Sequence, residues 1–252
     1  MRFDVTDVQG AVHTMDTDKF ESKFLNIDCM EVLRKMPDKC VDLCIVDPPY
    51  GIGAGKGTEI YLSNNGKQDW KGKKKNDHTI YGAWDDKKPN DEYFHELIRV
   101  SQNQIIWGGN YFNLPPSQWV IWDKLNGDSF FADGEMAWTS FKSKMRIFRY
   151  LSCGFMGSHK NKDTRIHPTQ KPIALYKWLL SNYAKPGDKI LDTHVGSASS
   201  LIACHQTGYE YWGFELDTDY FNAATERLNR VKAQVDIFEA AKLPKMEQVS
   251  EW

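Results

Sequence analysis

"GDKILDTHVGSASSLIACHQTGYEYWGFELDTDYFNAA", residues 187–224, reads as strand, small-residue turn, helix, strand and acid. Asp192 closes the first strand, Gly196-Ser197-Ala198-Ser199 makes a tight turn, Gly208 stops the helix, and Glu215 closes the second strand 23 positions after Asp192. That spacing is close to the one at which an acid binds ribose hydroxyls in nucleotide-binding α/β folds. The turn is not G-x-G-x-x-G and offers no basic residue to a phosphate, so a nucleoside without phosphates suits it better than a dinucleotide.

Working outward, short β-branched or aromatic runs at 23–27, 41–46, 104–108, 118–122, 145–150, 188–192 and 210–216 give seven expected strands. Helical spacing is expected over 29–36, 91–100, 172–183, 197–206 and 217–234. Strands alternating with helices predict a doubly wound α/β sheet. Two stretches leave the pattern: 53–88, polar and rich in glycine and lysine, and roughly 123–168; both read as insertions around a site. Trp107 and Trp122 lie in apolar runs and are expected to pack the core.

The strand "VDLCIV" runs into "DPPY", Asp47-Pro48-Pro49-Tyr50. This places an acid at the carboxyl edge of the sheet, where open α/β folds bind ligands. The prolines supply no N–H and hold the backbone, leaving the carbonyls of Asp47 and Pro48 free to accept. Two acceptors of this kind can draw the N–H groups of an exocyclic amino group on a base, freeing its delocalised lone pair for an electrophilic methyl group. A plain turn after a strand is the alternative for these four residues taken alone.

The adjoining "GAGKGT", Gly53 to Thr58, suggests a phosphate loop but does not satisfy one. Tyr50 stands where the first glycine is required, and "EIYLSNNG" breaks the helix that should follow Lys56. A flexible hinge leading into the lysine-rich stretch suits the glycines better. That stretch, "KQDWKGKKKNDH" (67–78), holds five lysines and a tryptophan in a chain whose net charge is only −2. A solvated loop and a nucleic-acid contact both remain open on composition.

The 252 residues suffice for one large domain with a sizeable core. No signal-peptide pattern and no membrane-spanning run is visible, which makes the cytoplasm the expected compartment. Cys29, Cys40, Cys44, Cys153 and Cys204 are odd in number, scattered, and never form C-x-x-C. Buried thiols are expected, with neither a disulfide framework nor a metal site.

Together these segments resemble the β-class amino DNA methyltransferases, in which the "DPPY" half precedes the half that binds S-adenosylmethionine. "DTHVGSASS" is similar to the family's D-P-F-x-G-S-G-[ST]-[ST] at Asp192, Gly196, Ser197, Ser199 and Ser200, and departs from it at Thr193, His194 and Ala198. "NIDCMEVLRKMPDKCVDLCIVDPPYG", "IIWGGNYF" and "RIHPTQKPIALYKWLL" resemble further family segments, so the likeness spans most of residues 23–230 in the family's order.

The resemblance implies a Rossmann-like class I methyltransferase fold with a seven-stranded, mostly parallel sheet, helices on both faces, and a circularly permuted motif order within one domain. It implies catalysis by Asp47, Pro48, Pro49 and Tyr50. Cofactor contacts are implied for Asp28, Cys29, Asp47, His167, Thr169, Gln170, Lys171, Asp192, Thr193, His194, Gly196, Ser197, Ser199, Glu215 and Leu216. The expected reaction moves a methyl group from S-adenosylmethionine, leaving S-adenosylhomocysteine, to N6 of an adenine flipped out of double-stranded DNA onto Tyr50. Asp at the head of "DPPY" favours adenine N6; cytosine N4 is the alternative. Lys56, Lys67, Lys71, Lys73, Lys74 and Lys75 are expected on DNA phosphates, and 123–165 as target-recognition insertion. A homodimer and a cognate restriction nuclease are the further partners that the likeness allows, in a bacterial or phage setting.

Overall fold

The computed structural model describes residues 1–53, 85–127, 132–151, 166–167 and 169–240, without the side chains of 235–240. Its centre is β4 (Val41–Val46), whose alternating side chains face two cores: Cys44 and Val46 point into one, Leu43 and Ile45 into the other. A strand buried on both faces must read as a continuous apolar run, as "VDLCIV" does after its first turn of polarity. β4 pairs in parallel with β5 (Ser101–Trp107) on one side and β9 (Ile190–Asp192) on the other. Beyond β9 lie β10 (Tyr211–Glu215) and β3 (Lys23–Asn26), both parallel.

On the opposite side, β7 (Gly134–Thr139) runs antiparallel between β5 and β6 (Gln118–Asp123), and β8 (Arg146–Arg149) pairs in parallel with β6. The sheet order is β3-β10-β9-β4-β5-β7-β6-β8. Among the described residues this sheet therefore holds eight strands instead of the expected seven. The additional one is β7, inside the stretch 123–165 that reads as an insertion, and β8 in the same stretch also joins the sheet. A hairpin of β1 (Arg2–Thr6) and β2 (Val12–Asp16), absent from the sequence reading, buries Val5 and Met15 against the first core.

Helices cover both faces. α1 (Cys29–Leu33) and α2 (Asp91–Val100) lie on the core containing Cys44 and Val46. α3 (Ile173–Tyr183), α4 (Ser199–Thr207) and α5 (Thr218–Ala240) lie on the other. The bounds of α2 follow from its ends. Asn90 caps it by accepting the Tyr93 N–H at 3.1 Å, Asp91 and Glu92 sit at the positive end of the helix dipole, and Arg99 at the negative end. Tyr93, Phe94, Leu97 and Val100 form its buried stripe.

Trp107 and Trp122 are buried, as are Cys29, Cys44 and Cys204, while Cys40 is half-buried. Lys56 and the lysines of 67–75, the run beyond Gly53, and Cys153 fall outside the described residues. No helix among the described residues is long and apolar enough to cross a membrane.

Candidate active site

The carboxyl ends of β4, β9, β10 and β3 share one edge, and the candidate residues collect there. At the end of β4 the Tyr50 hydroxyl donates to Asp47 Oδ1 at 2.7 Å, closing the turn across the two prolines. A residue missed by sequence reading holds that turn from outside. Buried Asp85 accepts the backbone N–H of Tyr50 at 2.6 Å and of Gly51 at 2.9 Å through one oxygen, Oδ1. Prolines make such a tie necessary, because the turn has few N–H groups of its own to anchor it.

The Tyr50 ring is set by its neighbours. Gly108, which ends β5 with φ +66°, lies so close that an added Cβ would come within 2.1 Å of Tyr50 Cε1. Tyr111 stacks on the ring at 5.1 Å and 16°, and Phe112 meets it edge-on at 6.2 Å. An open cavity of about 540 Å³ begins at this stack and is lined also by Gly51, Asp86, Lys87 and Lys88.

Behind Asp47 lies a set of charges drawn from four separate segments. Lys171 Nζ donates to Asp47 Oδ2 at 2.5 Å and to Glu135 Oε2 at 2.9 Å, and lies 3.3 Å from the Tyr50 hydroxyl. Lys124 Nζ meets the other Glu135 oxygen at 2.6 Å. The Lys171 side chain is only 2% exposed, so its charge is tenable only through these partners. Burial pushes the Asp47 carboxyl above the ordinary carboxylate range, against the pull of Lys171. Burial would also lift Glu135, but Lys171 and Lys124 outweigh it and hold that carboxyl at about 2. Lys171 is thus brought to Asp47, 124 positions away in the chain.

At the end of β9, Asp192 ties the glycine turn together, accepting the His194 N–H at 3.0 Å and the Ser200 hydroxyl. Burial raises its carboxyl to about 7. Stability from a raised carboxyl is fully present below its unfolded value near 4 and is lost as pH rises through 7. Asp192→Asn, which keeps the shape, should therefore flatten the dependence of Tm on pH between 5 and 8. It should raise stability at pH 8 by on the order of a few kcal/mol; an unchanged pH profile would mean that the folded and unfolded chains bind the Asp192 proton alike, which contradicts a raised carboxyl.

The following turn is held on several sides. The Thr193 hydroxyl bonds the Tyr93 hydroxyl at 2.6 Å, and His194, neutralised by burial with a pKa lowered to about 4, meets the Tyr93 ring edge-on. Gly196 N–H donates to Glu215 Oε2 at 2.8 Å. Ser197 and Ser199 hydroxyls lie 3.1 Å apart, and buried Arg227 donates to the Ser197 carbonyl and, at 3.1 Å, to Ser199. Ala198 stands at φ +60° as the residue before α4. A Cβ in the left-handed region costs roughly 1–2 kcal/mol, so Ala198→Gly should stabilise the fold by about 1 kcal/mol on chemical denaturation, less the added chain entropy.

Glu215 closes β10 with its second oxygen on the Asp217 N–H at 3.0 Å, and its neighbour Leu216 is 60% exposed. His167 lies over Gly196, 3.8 Å from where a Cβ would stand, and against the Tyr220 ring at 4.4 Å. Thr169 bonds His167 Nδ1 at 3.1 Å and Gln170 accepts the Ile166 N–H, so both shape the loop. Asp28 caps α1 through the Met30 N–H at 2.9 Å and is exposed, whereas Cys29 is buried behind it. Among the described residues no three His, Cys, Asp or Glu side chains are grouped to hold a metal ion.

Residues 122–226 match the DNA methylase family model of the N6/N4 type, a span running from the end of β6 into α5. YubD of Escherichia coli (strain K12) is 26% identical over 223 residues, covering 84% of this chain and 92% of that protein. The type II methyltransferase M.HpaI of Haemophilus parainfluenzae is 25% identical over 246 residues, covering 83% of this chain and 74% of that protein. Among solved structures, the M1.HpyAVI–SAM complex aligns with TM-score 0.50 at 17% identity, over 81% of this chain and 98% of that one. The cytosine-N4-specific PvuII DNA methyltransferase aligns with TM-score 0.50 at 12% identity, over 86% and 92%. These two likenesses concern the fold alone.

Proposed function

We propose that the chain is a methyltransferase of the N6/N4 DNA methylase kind that transfers a methyl group from S-adenosylmethionine to N6 of a flipped adenine in double-stranded DNA. The observation that carries the proposal is the meeting of Asp47 and Tyr50 with the Gly196 turn and Glu215 on one sheet edge, from strands paired directly or through one neighbour. The residues at the end of β10 fit a nucleoside: a carboxylate for two ribose hydroxyls, an exposed leucine beside it for a purine face, and a glycine turn with the His167 ring over it. Glu215, Leu216, Asp28, Cys29, His167 and the turn from Thr193 to Ser199 would hold the cofactor, with Asp192 and Arg227 keeping the turn in shape.

The bound cofactor supplies an electrophilic methyl group. Asp47 and the Pro48 carbonyl accept the two N–H groups of the adenine amine, which turns its lone pair toward that methyl. Tyr50 supports the base after it leaves the helix. Asp rather than Ser at the head of the motif favours adenine over cytosine. Incubation with DNA and labelled S-adenosylmethionine, followed by nucleoside identification, tests this: N6-methyladenine is expected, and N4-methylcytosine would overturn the base assignment. Alanine at Lys73, Lys74 and Lys75 should weaken DNA binding and reduce the slope of log affinity against log salt by about 2–3; an unchanged slope removes these lysines from the interface.

A further inference from the structure

Asp47 has no idle oxygen. Oδ1 accepts from Tyr50 and Oδ2 from Lys171, and the ammonium is shared with Glu135 of β7. Glu135 in turn is held by Lys124, which follows β6 directly. We infer that Lys171 and Glu135 are positioning residues for the catalytic acid: Lys171 orients the Asp47 carboxylate, and Glu135 shares that ammonium so that the Asp47 carboxylate stays basic enough to accept the base's N–H. The inference rests on the methyltransferase reading for its purpose, while the charge arrangement stands by itself.

The geometry favours this over a cofactor contact for Lys171. An ammonium has three N–H donors, and Asp47, Glu135 and the Tyr50 oxygen account for three acceptors within 3.3 Å. Its remaining surroundings are aromatic: the Trp107 ring lies 5.2 Å and the Tyr50 ring 5.8 Å away. Two carboxylates on one buried cation leave a surplus negative charge, and Lys124 offsets it, so the set is neutral as a whole. The other titratable groups facing Asp47 are Tyr50 from its own turn, Tyr176 from α3 and Asp192 from β9; all three are pushed toward their neutral forms, chiefly by burial. The balance at Asp47 therefore falls to Lys171 and Glu135.

The test reads the Asp47 carboxyl by carbon NMR titration of the cofactor-free protein, then kcat and cofactor affinity on the same variants. Glu135→Gln removes a like charge and leaves Lys171 more fully to Asp47, so the Asp47 titration should move down by roughly one pH unit. kcat should fall about tenfold with cofactor affinity unchanged. Lys171→Met should move the same titration up by roughly one unit or more. A residue that merely supported the fold would shift both in one direction or neither.

Opposite shifts with intact S-adenosylmethionine binding support the assignment. Equal or absent shifts overturn it, as does loss of cofactor binding confined to Lys171→Met. Glu135→Gln, which keeps volume and folds around a neutral amide, decides the matter by itself should the lysine variant fail to fold. Because the titration needs neither cofactor nor DNA, a wild-type protein inactive on every DNA would sink the proposed reaction and leave this result standing.

Discussion

Asp47→Ala should reduce methyl transfer by about a thousandfold or more, since the lost acceptor acts on charge that develops in the transition state. S-adenosylmethionine affinity should stay within about tenfold, because Asp47 serves the reacting amine rather than the nucleoside. The substitution also strips Lys171 of its shortest contact, at 2.5 Å. Glu135, at 2.9 Å, remains as its counter-ion, so the variant should fold. Asp47→Asn is the sharper control, because it keeps the shape while removing the charge. Equilibrium binding of the cofactor and single-turnover transfer separate the two effects. A loss of cofactor affinity as large as the loss of rate would contradict the role given to Asp47.

Gly108→Ala should be nearly as damaging from outside the motif. Its Cβ would fall 2.1 Å from Tyr50 Cε1 and 2.6 Å from Cζ, at a φ of +66°. Neither contact can be tolerated, and the ring is held in place by its stack on Tyr111 and by its hydroxyl on Asp47. Tyr50 must leave the stack, and misplacing the proposed base platform by this much is expected to cost on the order of a hundredfold in kcat/KM for DNA. Cofactor affinity, which the proposal assigns to residues away from this ring, should not change. Tyr fluorescence and kcat/KM for DNA against kcat/KM for the cofactor would show the split; equal loss for both substrates would refute it.

Much of this edge was legible in the sequence because local chemistry and tertiary role coincide there. "VDLCIV" is apolar on both faces and is the central strand; Asn90 with Asp91 and Glu92 announces α2 at the residue where it starts. β7 was hidden because "GEMAWT" alternates weakly and acquires its pattern only by lying antiparallel between β5 and β6, a nonlocal pairing. With β7 went Glu135, whose function comes from Lys171 36 positions further along rather than from any motif of its own. Asp85 escaped for the same reason: one of two adjacent acids beside a polar run gives no sign that it will accept two N–H groups from the far side of a turn.

The direct pairing of β4 with β9, Leu43 to Ile190 and Cys44 to Leu191, has a consequence for how the site fails. Strands in one ladder stand about 4.8 Å apart, so the distance between the acid and the glycine turn is fixed by backbone hydrogen bonds in the most protected part of the molecule. Loops around the edge can open, exchange their amides with water, or change sequence without altering that distance. The chemistry should then persist through local fluctuations and vanish only with the cooperative loss of the central sheet. Amide exchange at Cys44 and Leu191 would accordingly report the survival of the reaction centre, on a timescale set by global unfolding rather than by the motions that admit substrate.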